Sequence, residues 1–189
     1  MEQKCFTATV GGKELIIETG RLANAANASC TVRMGDTMVL VTAVMASSSR
    51  DGMNWFPLMV DYEEKLYAAG RIKGSRFIKR EGRPTDEAVL VSRFIDRSIR
   101  PLFNQAMRRD IQVIVTCLSF DGEHDPDILG LIGASCTLHA SDIPWKGPIG
   151  AIRVAQKDGE LIMNPTYEDR EDADFSLDIA GDTEKVIMV

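Results

Sequence analysis

Alternating apolar and polar positions divide the chain into short strands, most of which come in hairpins. Residues 4–18 form one such pattern around a Gly11-Gly12 turn, and residues 29–45 form another around Gly35-Asp36. Two turn residues between alternating runs are typical of a tight β-hairpin. The predicted strands cover residues 4–10, 13–18, 29–34, 37–45, 56–62, 110–120, 149–156, 160–163, 175–180 and 186–189.

Two longer segments, residues 84–99 and 128–140, predict helices. Pro84 suits a first helical position, and acidic residues follow it in the electropositive first turn. Gly130 and Gly133 lower the helix propensity of the second segment, so they predict close packing against a sheet. Hairpins with two main helices between them indicate an α+β fold of mixed β-sheets.

Composition excludes several classes of protein. The 189 residues are 44% hydrophobic and 26% charged, which is ordinary for a globular domain and excludes disordered, collagen-like and coiled-coil chains. No apolar run approaches the length of about 18 residues that crosses a membrane, and the N-terminus lacks the pattern of a secretory signal. Four cysteines without a C-x-x-C pair predict reduced thiols and a cytoplasmic protein. The chain ends within the apolar run 186–189, which predicts a fragment of something longer.

Positive charge is concentrated in one quarter of the chain. Residues 65–109 hold twelve basic and four acidic side chains, a net charge of +8. The remainder, with ten basic and 24 acidic side chains, carries −14. Such a segment is typical of a site for polyanions, although a solvated basic face or pairing with the acidic remainder gives the same pattern. Arginine outnumbers lysine nine to three there, and its planar fork suits phosphate, which favours the polyanion site.

Two parts of this segment are candidates for nucleic-acid contact. In residues 76–84 an aromatic ring stands among basic residues and glycine, the composition that stacks a base and binds the phosphates beside it. Arg93, Arg97 and Arg100 follow at i, i+4 and i+7, which places them on one stripe of the predicted helix. The alternative for this stripe is the polar outer face of an amphipathic helix, with Asp96 neutralising part of it.

Other chemistries have weaker support. Residues 70–75 contain glycines, a lysine and a serine, but not at the spacing of a nucleotide-binding P-loop. Residues 121–127 offer carboxylates and His124 as metal ligands, yet acids before a helix also complement its dipole, and we favour that interpretation. From the residues alone, a metal site at 121–127 is therefore the less favoured interpretation.

The motifs of the basic segment resemble the first core domain of the bacterial polynucleotide phosphorylase family, relatives of ribonuclease PH. They are AAGRIKGS at 68–75, FIKREGRP at 77–84 and SRFIDRSIRPLF at 92–103. The likeness continues in order through PDI at 126–128, IGAS at 132–135, DIP at 142–144, GPIG at 147–150 and NPT at 164–166.

This resemblance implies a phosphorolytic 3′→5′ exoribonuclease that converts RNA and inorganic phosphate into nucleoside diphosphates. It implies two ribonuclease-PH-like cores in tandem, of which residues 1–189 are the first, truncated at its C-terminal end. The partners it implies are single-stranded RNA, two further copies in a trimeric ring, and other RNA-degradation proteins. It implies Mg²⁺ at the second core, inorganic phosphate as co-substrate, and no membrane association.

The family's loop of two aromatic residues and two arginines, which guides the RNA 3′ end, matches residues 77–80. Phe77 and Arg80 keep the pattern, whereas Ile78 replaces an aromatic residue and Lys79 replaces an arginine. The RNA-binding residues predicted on this basis, together with the charge pattern, are Phe77, Lys79, Arg80, Arg83, Arg93, Arg97 and Arg100. Arg83 is expected either to anchor the loop to the helix or to contact phosphate.

The resemblance also predicts that the reaction centre lies outside this chain. The family's phosphate-binding turn falls on residues 124–127, where Pro126 removes an amide donor and the aspartates repel phosphate. The Asp-x-Lys signature of the second core falls on residues 176–178, where both key side chains are replaced. One alternative is a ring subunit that binds RNA without catalysis. Another is a self-sufficient nuclease whose metal is held by the acids at 168–174, although these acids are also typical of a solvated loop.

Overall fold

A computed structural model describes residues 2–50, 52–72, 74 and 82–189. Six strands form the first sheet, in the order β1-β2-β3-β4-β6-β5. All neighbours in it are antiparallel except β5 and β6, which are parallel. The strands are β1 Lys4–Val10, β2 Lys13–Thr19, β3 Ala28–Met34, β4 Thr37–Ser49, β5 Leu58–Glu63 and β6 Arg109–Ser119.

A second, antiparallel sheet has the order β10-β9-β7-β8. Its strands are β7 Gly150–Lys157, β8 Glu160–Met163, β9 Phe175–Gly181 and β10 Val186–Met188. Three α-helices complete the described part of the chain: α1 Asp86–Ile99, α2 Pro126–Ala140 and the short α3 Tyr167–Glu171. The predicted α+β fold of mixed sheets with two main helices is therefore confirmed.

Helix α2 lies between the two sheets and builds the core. It contacts β3, β4 and β6 on one side and β7 of the second sheet on the other. A Cβ added to Gly133 would lie 2.5 Å from Cγ2 of Val41, and one added to Gly130 would lie 3.0 Å from Cγ1 of Val115. The prediction that these glycines allow close packing against a sheet is confirmed. No helix in the described residues is long and apolar enough to cross a bilayer.

Helix α1 begins two residues later than the sequence predicts. Thr85, rather than a residue before Pro84, is the N-cap, and its hydroxyl accepts a hydrogen bond from the amide of Ala88 at 3.0 Å. The same hydroxyl donates to Glu64 just after β5, at 3.0 Å. Threonine is a preferred N-cap because its hydroxyl accepts a hydrogen bond from a free amide of the first turn, whereas Arg83, the residue before Pro84, has no such acceptor. The start of α1 is thus tied to the end of β5.

Candidate functional site

The exposed side of α1 carries two of the predicted RNA-binding arginines. Arg93 and Arg97 are both exposed and lie one helical turn apart. The opposite side of the helix is held by Ala88 and Ile95, which are 2% and 0% exposed. This amphipathic arrangement presents two guanidinium groups to solvent from a helix fixed to the core.

Arg100, the third arginine of the predicted stripe, is used inside the fold. Its guanidinium binds both carboxylate oxygens of Asp96, at 2.9 and 2.6 Å. It also donates to the carbonyl oxygens of Phe56 and Leu58, at 3.3 and 3.0 Å. Of the two alternatives for this residue, polyanion contact and ion pair, the structure shows the ion pair.

The remaining predicted residues lie in or next to the basic loop. Phe77, Lys79 and Arg80 fall outside the described residues. Arg83 is exposed, two residues before the N-cap Thr85. The predicted residues from 77 to 83 therefore immediately precede α1 in the sequence. The contact of these residues with RNA remains a prediction.

The two segments that the resemblance matches to a reaction centre meet in space, where they form an ion cluster. We call it the acid-arginine cluster. Its members are Asp125, Asp127, Arg153, Arg170 and Asp178. Asp125 and Asp127 stand at the start of α2, Arg153 and Asp178 on the paired strands β7 and β9, and Arg170 on α3.

Arg153 is the centre of this cluster and is only 8% exposed. Its guanidinium forms a two-pronged ion pair with Asp178, with one distance of 2.6 Å, and another ion pair with Asp125. Arg170 approaches the same Asp125 carboxylate at 3.1 Å and stacks over the Tyr167 ring at 4.1 Å. Three carboxylates against two guanidinium groups leave the cluster with an excess of negative charge.

Asp127 holds its proton more tightly than an ordinary aspartate does. Burial raises the pKa of Asp127 to about 6, and the negative charges of Asp178 and Glu64 add to the effect. The nearby Tyr62 hydroxyl and Arg170 offset part of it. A carboxyl group with this pKa loses its charge in mildly acidic solution.

At the start of α2, where the N-terminus of a helix could bind an anion, an acidic side chain of the protein occupies the position. The Asp125 side chain is the N-cap of α2 and accepts a hydrogen bond from the amide of Asp127 at 3.3 Å. Pro126 occupies the first helical position and has no amide hydrogen to offer. The carboxylate takes the position in which a phosphate would receive such bonds, so the residues present do not fit a phosphate ion.

The same residues do not fit a divalent cation. The carboxylates of Asp125 and Asp178 face the guanidinium group of Arg153, and a cation between them would replace that group. In the described residues, no group of three or more histidine, cysteine, aspartate and glutamate side chains is arranged to hold a metal ion. The acid-arginine cluster therefore offers no donor set that fits Mg²⁺, an ion that the resemblance assigns to the second core.

His124, the other candidate ligand, belongs to a hydrogen-bonded turn. Its Nδ1 lies 2.7 Å from Oδ2 of Asp121, and Oδ1 of the same carboxylate accepts a hydrogen bond from the Thr37 hydroxyl at 2.8 Å. Partial burial alone would raise the pKa of Asp121, but hydrogen bonds from the His124 and Glu123 amides hold it below its ordinary range. The turn closes β4 against the start of α2, as the favoured capping interpretation of these acids implies.

A separate open groove of about 750 Å³ lies at the ends of β4 and β6 and is lined by Arg50, Arg108 and Arg109. Arg50 pairs with Asp110 at 2.9 Å. The Arg108 guanidinium donates to three backbone carbonyl oxygens, of Met53, Gln105 and Met107. Two of the three arginines thus have partners within the fold, and the groove adds less free positive charge than its composition suggests.

The sequence profile of the 3′ exoribonuclease family, domain 1, named for ribonuclease PH, matches residues 11–144. The chain belongs to this family. Two solved structures share its fold: rice Rrp46, with a TM-score of 0.71 at 13% identity, and an Archaeoglobus fulgidus exosome with RNA bound to its active site, with a TM-score of 0.69 at 18% identity. The likeness covers 99% and 92% of this chain, and 78% and 74% of those chains.

Within the family, the chain is similar to the polyribonucleotide nucleotidyltransferases of bacteria. It is 53% identical over 183 residues to that of Anaeromyxobacter dehalogenans and 53% identical over 184 residues to that of Heliobacterium modesticaldum. In both cases 97% of this chain is matched, but only 25% and 26% of the relative. The chain thus spans about a quarter of the length of these relatives, and the predicted resemblance to the first core domain of such a protein is confirmed.

Proposed function

We propose that this chain is the RNA-guiding first core of a phosphorolytic 3′→5′ exoribonuclease. The observation that carries the proposal is the identity of about half of all residues with polyribonucleotide nucleotidyltransferases over nearly the whole chain. The longer protein would degrade RNA with inorganic phosphate to nucleoside diphosphates. Mg²⁺ at a second core, a trimeric ring and a cytoplasmic location are parts of the same proposal.

RNA guidance is assigned to the basic loop and to the exposed side of α1. Phe77 supplies a ring for base stacking, and Lys79 and Arg80 supply charge for the phosphates nearest the end being degraded. Arg83 is exposed where the loop joins α1, and Arg93 and Arg97 continue the positive charge along the helix. Arg100 is assigned a positioning role, because its guanidinium is held by Asp96 and two carbonyl oxygens.

The isolated segment is proposed to be inactive in bond cleavage. Phosphorolysis needs a held phosphate and stabilisation of the charge that develops on the reacting phosphodiester. At the start of α2 the Asp125 carboxylate takes the place of the anion, and Arg153 forms ion pairs with Asp125 and Asp178. These contacts also favour the second candidate function, a ring subunit that binds RNA without cleaving it.

The test compares this 189-residue chain with the longer natural protein on single-stranded RNA, with and without inorganic phosphate. Phosphate-dependent release of nucleoside diphosphates by the longer protein alone is expected. Release by the 189-residue chain would refute the division of labour, and no release by either protein would favour the non-catalytic subunit.

RNA guidance is tested with two paired variants of the longer protein, Lys79→Ala with Arg80→Ala and Arg93→Ala with Arg97→Ala. Each neutralised phosphate contact on a single strand contributes about 0.7 to the slope of log affinity against log salt, so each pair should lower that slope by about 1.4. Arg21→Ala is the matched control, because Arg21 is exposed on the β2–β3 connection and pairs with Glu18. Slopes equal to that of the control would remove the assigned roles.

A further inference from the structure

An exposed aromatic ring lies just after the end of β5. The Tyr67 side chain is 59% exposed. Among the described residues its ring stacks on no other ring or guanidinium group, and its hydroxyl has no hydrogen-bond partner. Exposure alone does not define a site, because single exposed apolar residues are normal on a protein surface. The support and the surroundings of the ring therefore decide what it can bind.

The turn that carries Tyr67 is held by backbone hydrogen bonds. It is the 3₁₀ turn Leu66–Ala69, which ends at Gly70 with a positive φ of 67°. The amide of Gly70 donates to the carbonyl oxygen of Tyr67 at 3.0 Å, and the amide of Phe120, just after β6, donates to Ala68 at 3.0 Å. A ring on such a fixed turn loses little conformational freedom when a ligand covers it.

An exposed arginine lies next to this turn. The amide of Arg71 donates to the carbonyl oxygen of Leu66 at 2.9 Å, so the backbone of Arg71 returns to the residue that precedes Tyr67. The Arg71 side chain is exposed, and its guanidinium group has no ion-pair or hydrogen-bond partner in the part of the chain that the structure describes. The turn thus presents an aromatic ring and a guanidinium group close together.

The two acidic residues before the turn already have partners. Glu63 pairs with Lys65 at 2.9 Å, and Glu64 accepts the hydrogen bond from the Thr85 hydroxyl at 3.0 Å. The second contact also holds the turn next to the start of α1, the helix whose exposed side carries Arg93 and Arg97. Tyr67 therefore lies near the end of a helix to which RNA guidance is already assigned.

We propose that Tyr67 stacks on a base of single-stranded RNA while Arg71 binds a neighbouring phosphate. The inference rests on the proposed function, in which the basic segment guides RNA, and it adds a contact outside residues 77–80. A ring beside a guanidinium group suits a single strand, because every base offers a face for stacking and every linkage carries a negative charge. Stacking uses the face of the base, so the contact tolerates any RNA sequence.

The test measures the RNA affinity of the longer natural protein without inorganic phosphate, so that the strand is not degraded. Tyr67→Ala should weaken binding about 5- to 150-fold, the range that corresponds to one stacked base. The slope of log affinity against log salt should remain that of the parent, because no charge is removed. Arg71→Ala should instead lower that slope by about 0.7.

Three further variants separate the ring from other effects. Trp55→Ala is the matched control, because Trp55 is 61% exposed and lies before the opposite end of β5, and it should bind RNA as the parent does. Tyr67→Phe should also keep the affinity of the parent, since the ring is retained. Tyr67→Leu, which is apolar but has no ring, should behave like Tyr67→Ala.

A strand of the same length made of abasic nucleotides identifies the contact directly. Tyr67→Ala should bind this strand as tightly as the parent does, because no base is left for the ring. A variant that merely disturbed the fold would instead weaken the binding of intact and abasic strands alike.

An affinity of Tyr67→Ala for intact RNA equal to that of Trp55→Ala would overturn the proposal. So would an equal loss on intact and abasic strands, or a Tyr67→Leu variant that binds as well as the parent. Release of nucleoside diphosphates is measured separately, with inorganic phosphate added. If the longer protein releases none while Tyr67→Ala still shows the base-dependent loss, the proposed cleavage fails and the RNA contact stands.

Discussion

Replacement of Arg153 with methionine tests whether the acid-arginine cluster holds the second sheet to α2. The change keeps most of the side-chain length and removes the charge. Asp125 and Asp178 then face each other without their shared partner, and Arg170 alone remains near Asp125. Because Arg153 is only 8% exposed, water cannot replace the lost ion pairs easily.

Breaking a buried ion pair by removing one partner costs about 3–5 kcal/mol, because the remaining charges stay buried and unpaired. For a domain of this size each kcal/mol lowers Tm by about 2–4 °C, so the variant should melt roughly 6–20 °C below the parent. Arg21→Met is the matched control. Its pair with Glu18 is at the surface, with Arg21 60% exposed, and such pairs contribute about 0–1 kcal/mol.

The assay is urea unfolding of the parent and both variants at pH 8 and pH 5, with thermal melts as a second measure. At pH 5 Asp127, whose pKa is raised to about 6, is protonated, which removes one of the three negative charges of the cluster, so the deficit of Arg153→Met should shrink at pH 5. A deficit below about 1 kcal/mol, or one that is the same at both pH values, would refute the assignment of Arg153 as the counterion of this cluster.

Two further predictions concern stability. The raised pKa of Asp127, about 6, means that the folded state binds its proton more tightly than the unfolded state does, so the charged form destabilises the fold above pH 6. Asp127→Asn should therefore raise the free energy of unfolding by on the order of 1 kcal/mol at pH 8. Urea titrations should show that this gain disappears by pH 4. An equal gain at both pH values would contradict the reasoning. Gly133→Ala should destabilise the protein, because the overpacking cost of about 1–3 kcal/mol at Val41 outweighs a helix-propensity gain of about 1 kcal/mol. Gly150→Ala, with open space around the added Cβ, is the control, and a Gly133→Ala variant more stable than the parent would show that the neighbouring valines yield.

Most strands could be placed from the sequence to within a few residues, because each has a clear alternation bounded by turn residues. The hairpin of β1 and β2, with its Gly11-Gly12 turn, is an example. Helix α3 was missed, since five residues are too few to show a helical period. Its local signal was the reciprocal pair of Thr166 and Asp169, in which each side chain bonds the other's backbone amide.

The parts of the candidate site that depend on residues close together in the sequence could be predicted. The exposed stripe at Arg93 and Arg97 follows from spacing along one helix. The partner of Arg100 follows from the same spacing, because Asp96 lies one turn earlier. Arg153 was not found, because its partners are 25 and 28 residues away and meet it only through sheet pairing and helix docking. The sequence signal that could have indicated Arg153 is its position in β7: it is a charged residue between the small Ala151 and Ala155, which point to the same inward side.

In the acid-arginine cluster, the positive charge that faces the buried carboxylates comes from Arg153 of the same chain. The middle of β9, the start of α2 and strand β7 are joined by side chains of the protein itself. Their cohesion is consequently independent of how much free phosphate or divalent metal the surroundings contain. A scaffold stabilised in this way keeps the same shape whether phosphate and metal ions are scarce or plentiful.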